Sequence, residues 1–234
     1  MHLPRTRRKG LFRFSGQTLL GSLIFLFIAY PFVDEVKWGQ PGASLLFTFI
    51  LLASLLAVGG RRGVLIAGLV IFAPALAIRW LHHMPFLGKQ DPIPLLSMSL
   101  AIGFTAIQLL RFILRAKRVD SEVLCSAISV YLLMALFWAH LYLLVDNLDP
   151  GSFSSGQWEP SGAPLSIFDS IYFSLSTLTT ASYGDIAPLS RYARALTSLE
   201  AVGGVLYMAV LISRLVSLYS KTPAAAESTA SSQG

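Results

Sequence analysis

The run Ser174-Leu175-Ser176-Thr177-Leu178-Thr179-Thr180-Ala181-Ser182-Tyr183-Gly184-Asp185-Ile186-Ala187-Pro188 decides how this chain folds, because it is polar and irregular between two long apolar blocks. The stretch leading into it, 166–180, is apolar yet too short to cross a bilayer. A helix of about 12 residues rising 1.5 Å per residue covers only ~18 Å, little more than half of the ~30 Å hydrocarbon core. Its start carries a capping box, Ser166-Ile167-Phe168-Asp169, with the serine as N-cap and the aspartate at the third helical position. The blocks on either side, 122–145 and 191–219, are each long enough to span. Irregular backbone at membrane depth is tolerated only where it lines water or is buried in protein. The stretch therefore reads as a re-entrant half-helix with a loop at its end.

The rest of the chain requires the same solvent. Its 234 residues are 54% hydrophobic and 13% charged, with a mean hydropathy of +0.65. A soluble domain of this size needs more charge to keep its surface wet. Six blocks are candidate crossings: 17–33, 43–58, 63–81, 93–114, 122–145 and 191–219. The first follows the basic run Arg5-Thr6-Arg7-Arg8-Lys9, yet it is longer than a usual signal core and has no small-x-small cleavage site. It reads as an uncleaved crossing that ends at Pro31 and Asp34-Glu35. With the N-terminus inside, 13 of the 18 basic residues fall on the inner side, and only Lys37, Arg79, Lys89, Arg191 and Arg194 lie outside. Both termini are thus expected in the cytoplasm. The net charge of +6 sits at block ends, which argues for membrane orientation rather than nucleic-acid binding. The lone Cys125 reads as a small buried hydrophobe.

A half-helix ending in such a loop, between two full crossings, has the form of an ion pore loop. The stretch resembles the signature of the tetrameric potassium-channel superfamily, whose filter reads Thr-Val-Gly-Tyr-Gly. Thr180 matches its threonine, Tyr183 its tyrosine and Gly184 its second glycine. Asp185 matches the acidic residue that follows, and Thr177, Thr179 and Thr180 match the threonine-rich approach. Ala181 stands for the valine and Ser182 for the first glycine. The resemblance covers about 122–219.

It implies an all-α membrane protein: six crossings plus one pore helix and filter loop per subunit, four subunits around one axis. Closed symmetric oligomers are the norm, and a single loop cannot surround an ion. Carbonyls of Thr180, Ala181, Ser182 and Tyr183 would replace the water shell of a potassium ion, and the Thr180 hydroxyl would add the innermost ring. The Tyr183 ring would point away from the axis and wedge the filter against the pore helices. The partial negative charge at each pore-helix C-terminus would favour a cation in the central cavity. Alanine for valine is a mild change. A residue with a Cβ at the position of the first glycine, where the family backbone is left-handed, costs roughly 1–2 kcal/mol. Either packing holds that geometry or an ion ring is altered, so a weakly selective or non-selective monovalent cation channel is the alternative.

The resemblance also implies roles for the last crossing. Ser190 reads as its N-cap, Gly203 and Gly204 as an inner-helix hinge or a site of close helix packing. Val205, Met208, Ile212 and Val216, at i, i+3, i+7 and i+11, would line the cavity and an inner gate that closes by dewetting. Glu200 and Arg214 are charges inside an apolar span, costing at least about 2.5–3.5 kcal/mol each unless paired or wet. Glu200 is expected to support the filter by bonding Ser174, Ser176 or Thr177, and Arg214 to snorkel to the inner surface.

Six crossings with the pore in the last two resembles the voltage-gated layout, but residues 93–110 carry no charge, and Arg111, Arg115 and Arg118 cluster beyond them. A voltage sensor needs several charges across the field. His82 and His83 read as interfacial residues in an outer loop, and so does His140, on the outer pore helix. Two readings from other classes are weaker. An intramembrane serine protease would use Ser182 and His140, but Ser182 lacks the expected preceding glycine. A secondary transporter would show a second interrupted segment in the first half, and none is found. The chain is thus expected to divide into a basic cytoplasmic segment (1–16), four crossings that do not form a voltage sensor (17–118), a pore domain (120–220) and a disordered cytoplasmic tail (221–234). It is expected to conduct potassium passively as a homotetramer in a cell membrane, most simply a bacterial inner membrane. Neither catalysis nor a cofactor is expected; its partners are lipid, monovalent cations and further copies of itself.

Overall fold

The computed structural model of the protein describes residues 15–34, 42, 45, 47–50, 52–54, 62–81, 92–154 and 164–220. It is almost entirely helical: α1 (Ser15–Asp34), α2 (Arg62–Leu81), α3 (Ile93–Arg115), α4 (Ser121–Leu148), α5 (Ile167–Leu178) and α6 (Arg191–Ser220). Two short strands, β1 (Phe153–Ser154) and β2 (Ala187–Pro188), flank α5 in sequence. Of the second expected crossing, 43–58, the described residues 47–50 and 52–54 are helical, and the remainder lies outside the described residues. So do the histidine pair His82-His83, the loop through Glu159 and the segments 1–14 and 221–234.

Among the described residues, three helices are long and apolar enough to cross a membrane: Ile93–Arg115, Ser121–Leu148 and Arg191–Ser217. Shorter apolar helices run over Gly16–Tyr30 and Ile66–Ile78. The protein is a membrane protein. Pro31 does not end α1, which continues to Asp34. A proline removes one backbone bond and crowds the carbonyl four residues back, and so close to the helix end only one turn is affected.

The helix starts follow from capping. Asp120 caps α4 by accepting from the Val123 N–H at 2.9 Å, and Ser190 caps α6 through the Ala193 N–H at 3.2 Å. Several serine and threonine hydroxyls inside the spans are satisfied by carbonyls of their own helix. Thr105 donates to the Ala101 carbonyl and Ser129 to that of Cys125.

α4 is the organising element. α3 packs along it, α1 and α5 pack against it, and α6 touches it less extensively. One apolar core joins α1, the buried Phe47 and Ile50, α3 and α4 through Leu19, Leu23, Leu26, Ile102, Leu133 and Leu136. A second, smaller core is aromatic. Tyr142, Phe153 and Phe173 meet edge to face at centroid distances of 5.2, 5.2 and 5.6 Å, with Leu165, Ile186 and Ala193 around them. This cluster ties the C-terminal end of α4 to β1, α5 and the loop after it.

Candidate functional site

The capping box at the start of α5 is closed in both directions. The Asp169 N–H donates to Ser166 Oγ at 3.0 Å, and that hydroxyl donates to Asp169 Oδ2 at 2.6 Å. The chain ahead of the helix is anchored by Asp146 of α4, whose Oδ2 accepts from the Leu165 N–H at 2.9 Å. α5 then runs for 12 residues and stops at Leu178.

Beyond its end the chain turns back along the helix. The Ala181 and Ser182 N–H groups both donate to the Ser176 carbonyl, at 2.8 and 3.3 Å. The Tyr183 ring stacks on Tyr172, with centroids 5.8 Å apart and planes 10° from parallel. The Asp185 carboxylate lies near the Tyr172 phenol on the same side. Tyr172 lies six residues before Leu178, ~9 Å up the helix, so residues 183–185 have climbed back beside it. Behind them, β2 pairs antiparallel with β1, Phe153 opposite Pro188 and Ser154 opposite Ala187. The Ser152 carbonyl takes the Leu189 N–H at 2.7 Å, and Ser154 Oγ takes the Ala187 N–H at 2.9 Å. This collar holds the far end of the loop.

The backbone inside the loop alternates. Thr180, Ser182 and Gly184 have φ of +58°, +45° and +83°, whereas Ala181 and Tyr183 between them do not have positive φ. Left-handed backbone costs a residue with a Cβ roughly 1–2 kcal/mol, and such strain persists only where the surroundings over-determine it. The stacked tyrosines, the shared Ser176 carbonyl and the collar supply that constraint. Ser182 thus takes the left-handed conformation of the glycine it replaces. Every residue from Thr179 to Asp185 is exposed in the single chain, Tyr183 at 70%.

Glu200 of α6 is fully buried, at 0% exposure. Ser174 of α5 donates to its Oε1 and Tyr142 of α4 to its Oε2. Ser174 is also 2.9 Å from the Ala135 carbonyl. Of the three pore-helix hydroxyls named from sequence, Ser174 is the partner, and Ser176 bonds instead to the Phe173 carbonyl. The tyrosine was missed. The available signal was that a tyrosine deep in an apolar helix needs a partner for its hydroxyl. Three helices therefore meet at one carboxylate directly behind the loop.

Gly204, one turn on from Glu200, lies against the end of α5. A Cβ there would come within 2.9 Å of both the Leu178 carbonyl oxygen and its Cδ2, whereas one on Gly203 would meet nothing within 4 Å. α6 continues as one helix through both glycines. Tyr207 adds a bond across to α4, donating to the Ala127 carbonyl at 2.6 Å.

Arg214 reaches the end of a neighbouring helix. Its Nη2 donates to the Leu114 and Ala116 carbonyls at 3.0 and 2.9 Å. These belong to the C-terminal end of α3, where carbonyls lack helical partners and the helix dipole favours a cation. The charge is met by a neighbouring helix end, joining the C-terminal part of α6 to the first half of the chain.

The remaining sequence candidates are on α6. Val205, Met208, Ile212 and Val216 are 41–59% exposed, and Leu199, Val202, Leu206 and Val210 are exposed as well. His140 and Ser182 are not brought together. The histidine is buried in α4 with Nδ1 2.7 Å from the Leu136 carbonyl and its ring edge-on to Phe47, and among the described residues no hydrogen bond joins it to Ser182. No group of three or more metal-binding side chains occurs among the described residues.

Comparison with characterised proteins and with solved structures gave no significant match. Residues 124–221 match a protein-family model described as "Ion channel". That match runs from the first turn of α4 to the end of α6 and encloses the re-entrant helix and its strained loop, and over these residues the chain is similar to the pore domain of the potassium-channel superfamily.

Proposed function

We propose that this protein is one of four identical subunits of a potassium-conducting channel, with residues 180–184 as the selectivity filter. The observation that carries this reading is the alternating backbone of Thr180, Ser182 and Gly184. In a regular strand successive carbonyls point to opposite sides. Making every second residue left-handed turns successive peptide planes the same way, so consecutive carbonyls gather on one side. Four such rows around an axis make rings of oxygen that replace an ion's hydration shell. Tyr183 and Asp185 brace the row against Tyr172 from behind, and Glu200 holds the pore helix to α4 and α6.

The surface supports the fourfold assembly. α6 is an apolar helix, yet only 11% of its spanning window is buried within the chain, and the loop lies open beside it. Neighbouring copies would cover both. The helix ends carry basic residues mainly on the side where both termini are placed, which supports cytoplasmic termini. α1 and α2, with the helical residues 47–50 and 52–54, supply the remaining crossings of a six-crossing subunit. One observation favours a second reading, of a weakly selective cation channel. Ser182 adds a hydroxyl and a strained Cβ to the row.

The mass of the purified protein in detergent or nanodiscs tests the assembly. Four chains of 25.5 kDa predict a protein mass near 102 kDa (4 × 25.5), and a monomer or dimer would contradict the proposal.

A further inference from the structure

Ser182 shares its backbone class with Thr180 and Gly184, and the class alternates along the loop. In such a row residues two apart carry their side chains on one side. The surroundings agree. A cavity of about 590 Å³ beside the loop is lined by Thr180, Ser182 and Gly184, together with part of α5, the β2 collar and the start of α6, Arg194 included, but by neither Ala181 nor Tyr183. Tyr183 turns to the opposite side, onto Tyr172. Among the described residues neither the Thr180 nor the Ser182 hydroxyl is engaged within its own chain, although Thr179 bonds back to its helix at 2.7 Å.

We infer that Ser182 is a specificity-determining residue, its hydroxyl presented to the conducting ion on the face that Thr180 occupies, so that the assembled pore carries two hydroxyl rings instead of one. This inference rests on the filter reading proposed above. The rings stand two residues apart, ~6–7 Å for extended chain, so they serve separate ions or separate positions of one ion. A hydroxyl differs from a carbonyl in two respects. It is donor and acceptor at once, and it swings about χ1 rather than being fixed by a peptide plane. A rotating ligand adapts to a smaller cation, whereas discrimination between potassium and sodium requires oxygens of fixed spacing or field. Ser182 therefore lowers the preference for potassium. This differs from an effect of backbone strain, because strain belongs to the Cβ and the proposed effect belongs to the oxygen.

The test separates the two. Ser182→Ala keeps the Cβ and removes the hydroxyl, and Ser182→Thr keeps both. Permeability ratios for potassium over sodium are read from reversal potentials in planar bilayers, with Thr180→Ala measured alongside. The expected result is a ratio raised at least about threefold by alanine, the size of one lost polar contact, with threonine close to the unsubstituted protein. An unchanged or lowered ratio for Ser182→Ala, with a changed one for Thr180→Ala, overturns the inference and leaves the filter. No effect from either substitution overturns both. Where Ser182→Ala assembles without conducting, the potassium concentration giving half-maximal thermal protection reads the same contact. A shift of about threefold or more supports the hydroxyl contact, and no shift overturns it.

Discussion

Glu200→Ala is expected to be the most destabilising substitution in the pore domain, about 2–5 kcal/mol per subunit from stranded polar groups and the cavity together. The carboxylate is fully buried and receives donors from two other helices, Tyr142 of α4 and Ser174 of α5. Alanine leaves the tyrosine hydroxyl unmatched in a region without water, and a buried donor left without an acceptor costs roughly 1–3 kcal/mol. Ser174 suffers less, since the Ala135 carbonyl at 2.9 Å still accepts from it. Single removal of a donor should therefore be milder, and Ser174→Ala milder than Glu200→Ala. Tyr142→Phe takes away one bond while its ring stays against Phe153 and Phe173. The check is the thermal unfolding midpoint of the detergent-solubilised protein, with the recovered oligomer as a second readout. A midpoint for Glu200→Ala equal to that of the unsubstituted protein would show that the three-helix junction contributes nothing.

The second large effect separates two adjacent glycines. Gly204→Ala places a Cβ 2.9 Å from the Leu178 carbonyl oxygen. That atom is backbone at the end of the pore helix and cannot swing aside, so α6 must move away from α5 or the loop must shift. Overpacking of this kind costs about 1–3 kcal/mol, and because the displaced atoms lead into Thr179 and Thr180, loss of conduction should accompany it. Gly203→Ala meets nothing within 4 Å. Within the chain it should be neutral or stabilising, since glycine in a helix interior is about 0.5–1 kcal/mol worse than alanine. The pair also discriminates between close packing and hinge bending. Close packing predicts that only Gly204→Ala impairs flux. A hinge at Gly203 predicts that Gly203→Ala lowers channel opening while leaving the unfolding midpoint unchanged or raised.

Much of this architecture was legible before the coordinates, for identifiable reasons. The pore helix was readable because its signals are local: the Ser166–Asp169 capping box fixes its start, and its length excludes a crossing. Ser190 was placed by the same short-range logic and Asp185 by its match to the family signature, and the helix bounds of α3, α4 and α6 followed from apolar length. What sequence did not reveal are contacts between distant residues. Tyr142 is 58 positions from Glu200 and Arg214 is 100 from Leu114, and no periodicity links either pair. The β1–β2 collar consists of two-residue strands, too short for an alternating pattern to register. Left-handed backbone at Ser182 followed from the glycine it replaces, but at Thr180 nothing local announced it, because threonine is β-branched and disfavours that region.

Arg214 gives the first half of the chain a physical route to the pore. α6 has no extensive packing with α1, α2 or α3, yet this guanidinium joins it to the end of α3. Movement of the α3 end relative to α4 would therefore be felt at the C-terminal part of α6. Residues 93–110 of α3 carry no charge, so the membrane field has little to act on in that stretch.

Residues 180–184 are proposed to form a potassium filter in an assembled pore. The most direct measurement is ion flux through the purified protein in liposomes, with potassium and sodium gradients compared and barium added. The expected result is potassium flux that barium blocks and that exceeds sodium flux, with the margin set by Ser182. Absence of cation flux in either gradient, or flux indifferent both to barium and to the choice of ion, would contradict it.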